Sequence, residues 1–101
     1  MRSLTRDDAG KATTVAVGET FQITLGEHAG TGFHWRLVSD GSPACETIRA
    51  DFAPGRLPGS EAARTWEFAA RQAGAANLEF ALGRSWEPAP VERCVFPLVV
   101  K

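Results

Sequence analysis

Short runs in which apolar and polar residues alternate recur along the chain, and clusters rich in glycine or proline separate them. Phe21, Ile23 and Leu25 form one such set, followed by Phe33, Trp35 and Leu37. Trp66, Phe68 and Ala70 form a third, and Leu78, Phe80 and Leu82 a fourth. Cys94, Phe96, Leu98 and Val100 close the chain. A period of two puts each set on one face of a strand, whereas a helix needs apolar residues three and four apart. Ala-rich residues 69–76 are too short for a helix and contain Gly74.

Read in order, the pattern predicts strands over 13–17, 20–25, 33–38, 45–52, 65–70, 77–82 and 93–101. Ile48 is the clearest apolar member of the fourth. Pro97 lacks an N–H and implies an edge position or a bulge in the last. About seven short strands and no helix predict an all-β fold, an antiparallel β-sandwich of immunoglobulin-like type. The Cys…Trp…Cys arrangement of antibody domains is missing. Residues 1–11 are polar and charged and read as a flexible tail, leaving 12–101 as a single domain. That length supports one modest core.

A net charge of −1 argues against a nucleic-acid binder, and no apolar run can span a bilayer. The first residues lack an apolar signal core. The expected location is the cytoplasm, or the periplasm or exterior for a mature domain without its leader. Cys45 and Cys94 match no zinc spacing and read as two buried free thiols, with a disulfide as the alternative. His28 and His34 form no recognised metal-ligand motif and make a poor metal site. No metal or cofactor is expected, and the chain is expected to be a monomer.

Three connections stand out. Residues 28–32 are small and polar, with Gly30 and Gly32 on either side of Thr31. In isolation this is an ordinary hairpin connection. Residues 54–64 hold Pro54, Gly55, Pro58 and Gly59, and a connection of that length is often functional. Residues 83–90 carry Trp86 between two prolines and Gly83. Strand topology lets loops one hairpin apart cluster at one end of a sandwich.

With these segments in view, the chain resembles the chagasin-like inhibitors of papain-family cysteine proteases. That family carries Asn-Pro-Thr-Thr-Gly-Tyr/Phe, then Trp one residue later. Here Thr31, Gly32, Phe33 and Trp35 match, and His28, Ala29 and Gly30 do not. The family's last loop carries Arg-Pro-Trp; this chain reads Arg84, Ser85, Trp86, with Glu87 following. Its middle loop is Gly-x-Gly-Gly, where this chain has Gly59, Ser60, Glu61 and Ala62 and only Gly59 fits. The resemblance runs from about Val15 to Val100.

It implies a reversible, non-covalent inhibitor in which the first loop enters a papain-like cleft and the other two clamp its sides. The implied protease-binding residues are His28, Ala29, Gly30, Thr31, Gly32 and Phe33, then Gly59, Ser60, Glu61 and Ala62, then Arg84, Ser85 and Trp86. Trp35 and Trp66 fall on apolar faces and are expected in the core, with Phe33 at its edge and Trp86 exposed. Arg84 is expected to stack on Trp86 or pair with a carboxylate of the protease, the plainer alternative being a surface pair with Glu87 that contributes little. No nucleophile motif surrounds Ser85 or Thr31, so an enzyme is not expected. The rival is a non-inhibitory immunoglobulin-like module that presents its loops to a peptide, glycan or protein.

Overall fold

The computed structural model describes residues 1–28, 31–55 and 61–101. Two four-stranded sheets face each other. One contains β1 (Arg2–Leu4), β3 (Thr20–His28), β6 (Glu61–Ala70) and β5 (Cys45–Ala53), in that spatial order. The other runs β2 (Thr13–Val15), β8 (Glu92–Val100), β7 (Gly74–Gly83) and β4 (His34–Asp40). The immunoglobulin-like sandwich expected from alternation is present, with eight strands rather than about seven.

The alternating sets meet between the sheets. Phe21, Ile23, Leu25 and Phe68 from one sheet, and Leu78, Phe80, Phe96 and Leu98 from the other, are 0–1% exposed. Trp66 packs on Phe80 across the gap, with ring centroids 4.6 Å apart, and Phe80 meets Phe96 edge-on at 5.7 Å. Each such side chain contributes about 1.5–3 kcal/mol by leaving water, so this cluster dominates the drive to fold. Trp35 and Trp66 are buried with it, at 3% and 5% exposure.

The structure departs from the sequence reading at the N-terminus. Residues 1–11 are not a loose tail: β1 pairs in parallel with β3, and a 3-10 turn follows at Arg6–Asp8. Leu4 is 6% exposed, Arg2 bridges to Glu19 at 3.3 Å, and Arg6 pairs with Glu92. A three-residue strand holds too little alternation to be read; its ladder to β3, the buried Leu4 side chain and the Arg2–Glu19 pair hold it, with the Arg6–Glu92 pair just beyond. The β2–β8 pair is also parallel, so each sheet is antiparallel except at one edge.

Both central strands of the first sheet outrun their apolar sets. The β3–β6 ladder continues to His28 opposite Glu61, so Glu61 and Ala62 lie in a strand instead of the long connection. Ile48 is 45% exposed, at the bulge where the β5–β6 register shifts between Thr47 and Arg49. Pro97 lies in β8, which has neighbours on both sides. Odd-numbered residues along β8 and just past its end turn their backbone groups away from β7: the Val95 carbonyl accepts from Gly10 N–H, and Lys101, one residue beyond the strand, donates its N–H to Val15. The missing N–H of Pro97 therefore falls on the side where β2 begins only opposite Leu98. The cysteines are free and buried, as the favoured reading had them.

Candidate functional site

The three connections singled out in the sequence emerge at one end. His28 pairs with Glu61, Ala53 with Ala63, and His34 with Gly83. A bond of 3.0 Å between His34 Nδ1 and Glu27 joins the two sheets there. Ala29, Gly30, Gly59 and Ser60 lie outside the described residues.

Thr31 shapes the first connection. Its hydroxyl donates to the His28 carbonyl at 2.9 Å and accepts from Phe33 N–H at 3.3 Å. Gly32 follows with φ of 81°, a left-handed conformation that a β-carbon disfavours. The first and third connections then interlock. Arg84 Nε donates to the Thr31 carbonyl at 3.0 Å, and its Nη1 meets Glu87 at 3.1 Å. The guanidinium lies 4.1 Å from the Phe33 ring centroid and 5.6 Å from that of Trp86. Within the chain, Arg84 thus stacks on Trp86 and pairs with Glu87, and it adds contacts to Phe33 and to the Thr31 carbonyl. A planar cation suits this position because its faces stack while its edge donates.

Trp86 is 69% exposed and projects beside the Thr31–Phe33 turn. His28, Thr31, Glu61 and Ser85 are exposed, and Gly32, Phe33 and Arg84 half-buried. Ala62 is different: it is 1% exposed and faces the interior, which removes its side chain from the candidate surface.

Beneath the turn lies a polar cluster that the sequence reading did not single out. Glu27, 4% exposed, accepts from His34 Nδ1 at 3.0 Å, Trp35 N–H at 2.9 Å, and Arg64 Nε and Nη2 at 3.2 and 3.0 Å. The Trp35 indole N–H donates to the Gly26 carbonyl at 2.9 Å. Arg64 also stacks on Phe52, 4.6 Å from the ring centroid. Burial pushes the Glu27 pKa up, but hydrogen bonds from Arg64, His34 and the Trp35 N–H, with the Arg64 charge, bring it below the usual range. A signal was present: Glu27 continues the inward set Phe21, Ile23, Leu25, and Arg64 precedes Trp66 and Phe68 in register. A charge on an inward position needs a partner, and neighbouring strands supply opposite ones.

Among the described residues, no group of three or more His, Cys, Asp or Glu side chains is placed to hold a metal. His34 turns its Nδ1 to Glu27. No described helix is long and apolar enough to cross a membrane.

Among the described residues, the fold is an eight-stranded immunoglobulin-like sandwich that carries an interlocked pair of end loops. Residues 14–100 match the model for Chagasin family peptidase inhibitor I42. The chain belongs to the chagasin family of peptidase inhibitors and is therefore no enzyme. Its fold is similar to that of the cysteine protease inhibitor EhICP2 from Entamoeba histolytica, with a TM-score of 0.87 at 15% identity, covering 99% of this chain and 95% of that one. Amebosin is similar at TM-score 0.79 and 22% identity, with 99% and 97% covered. PbICP-C, solved in complex with falcipain-2, gives 0.70 and 16%, with 99% and 90% covered. Comparison by sequence with curated proteins returns no match.

Proposed function

We propose that this chain inhibits papain-like cysteine proteases reversibly and without covalent chemistry, its end loops occluding the active-site cleft. The turn at Thr31–Phe33 is the inserting tip, and Arg84, Ser85 and Trp86 form one flanking clamp. The connection running into Glu61 forms the other, with Gly59 and Ser60. His28, Ala29 and Gly30 complete the first loop.

The observation that carries this reading is the pairing of the tip with Trp86 through Arg84. A narrow cleft admits only a slim tip, and Gly32 has no side chain to widen it. A tip held by the Thr31 hydroxyl is already shaped before binding, which limits the ordering cost. Trp86 supplies a large rigid ring of the type that dominates interface energies. The family supplies the inhibitor class, and the complex of PbICP-C with falcipain-2 supports a protease of this kind as partner. Three loops are sufficient to bury about 800 Å² per partner, the usual size for a tight complex.

The departures at His28, Ala29, Glu61 and Ser85 bear on which protease is preferred. Glu61 adds a charge where the family has bare glycine backbone, and Ser85 frees a backbone that proline fixes. The test is steady-state inhibition of papain and a cathepsin-L-like enzyme, followed over time. Reversible inhibition with the domain left intact is expected. A bulky substitution at the tip, Thr31→Trp, is expected to abolish it. Undiminished inhibition by that variant would exclude insertion of this loop.

A further inference from the structure

The three connections are not fastened alike. The second is closed by the β5–β6 ladder up to Ala53 opposite Ala63, and the third by the β7–β8 ladder up to Leu82 opposite Glu92. The first leaves β3 in one sheet and returns as β4 in the other. It is therefore not a hairpin, and no backbone ladder joins its stems. The loop proposed to enter the cleft is the one whose base needs another fastening.

Side chains provide it. Glu27 is the last inward residue of β3, one position before the stem ends at His28. Its carboxylate reaches across to β4, taking His34 Nδ1 and the Trp35 N–H. From its own sheet, Arg64 on β6 grips both carboxylate oxygens. The Trp35 indole returns a bond from β4 to Gly26 on β3. Each of these partners of the carboxylate is a donor: His34 and Trp35 come from the opposite stem, β4, and Arg64 from β6, which pairs with β3.

We infer that Glu27 and Arg64 are positioning residues for the Thr31–Phe33 tip, their ion pair taking the place of the missing ladder. The inference rests on the inhibitory reading above. A buried ion pair is a poor way to stabilise a core, since an apolar pair of similar volume often serves as well or better. What an apolar pair cannot do is fix direction. A bidentate carboxylate with four donors sets both the separation and the angle of the two stems.

That difference supplies the test. Three proteins are compared at a temperature well below their melting midpoints: the natural chain, Glu27→Gln, and the double variant Glu27→Met/Arg64→Met. Papain inhibition and amide hydrogen exchange are both read. Glu27→Gln is expected to raise Ki at least tenfold, mainly through faster dissociation. The double variant is expected to regain the melting temperature of the natural chain while Ki stays raised at least tenfold. The amides of Thr31, Gly32 and Phe33 should exchange faster in it, with protection across Gly74–Gly83 unchanged.

A stable double variant with the natural Ki and natural tip exchange would overturn the inference. Should the natural chain not inhibit papain, the proposed function falls, and tip exchange still decides the clamp: unchanged exchange overturns it. Should the double variant not fold, Arg64→Lys keeps the charge and loses the fork. An unchanged Ki, or unchanged tip exchange, in folded Arg64→Lys would equally overturn the clamp.

Discussion

Gly32 lies against the edge of the Trp86 indole: a β-carbon on Gly32 would stand 2.6 Å from Cη2 of that ring. The outer edge of an otherwise exposed tryptophan therefore abuts the backbone of the neighbouring loop. Glycine answers two demands there, the close approach and a φ of 81°. The tip and the Trp86 loop are one surface.

Gly32→Ala is accordingly expected to cost roughly 1–2 kcal/mol through the left-handed backbone and the displaced ring. Papain inhibition should weaken by about tenfold, with a small drop in melting temperature. Titration of the variant against active enzyme, beside a thermal melt, checks both. Unaltered inhibition would separate the Gly32–Trp86 contact from binding.

Removing the ring itself should act on binding far more than on folding. Trp86 is 69% exposed, so Trp86→Ala forfeits little core burial. As an interface anchor it is expected to lose about 2 kcal/mol or more of binding energy. The comparison is Ki against melting temperature in the same variant. An unchanged Ki would remove Trp86 from the contact surface.

Arg84 joins four groups at once: the Thr31 carbonyl, the Glu87 carboxylate and two aromatic faces. A lysine keeps the charge and loses the planar fork. Arg84→Lys is expected to weaken inhibition by about 1 kcal/mol or more, on the scale of a hydrogen bond to a charged donor. A crystal structure of the variant should show the Thr31 carbonyl released. Inhibition equal to that of the natural chain would mean that charge alone suffices.

Acid should dissolve the advantage of the Glu27 cluster. An unfolded glutamate titrates near about 4.3, and folding lowers this one. Its contribution is thus complete above about pH 4.3 and lost as pH falls through the lower, folded value. The difference in melting temperature between the natural chain and Glu27→Gln should be largest near neutrality and shrink below about pH 4. A difference independent of pH would mean that the ionised carboxylate is not what the variant removes.

The thiols should be inert until the chain unfolds. Burial raises the Cys45 pKa, helped by the negative charge of Asp40. Burial also raises that of Cys94, partly offset by Arg6. Alkylation by iodoacetamide requires the thiolate, so both cysteines should react only in denaturant. Rapid modification of either in the folded chain, followed by mass spectrometry, would contradict their placement in the core.

The period of two in the sequence settled which side chains face inward, because each strand offers its core only alternate positions. It therefore yielded the sandwich, the buried Trp35 and Trp66, and the loops at 28–32 and 83–90 as distinctive segments. The same alternation, followed past Leu25 and ahead of Trp66, already pointed Glu27 and Arg64 into the interior. Which strand stands beside which is another matter. Pairing depends on contacts between residues far apart in the chain, and alternation carries no record of them. Only the tertiary structure put β3 and β4 in opposite sheets, set the edge of Trp86 against Gly32, and brought four donors to one buried carboxylate.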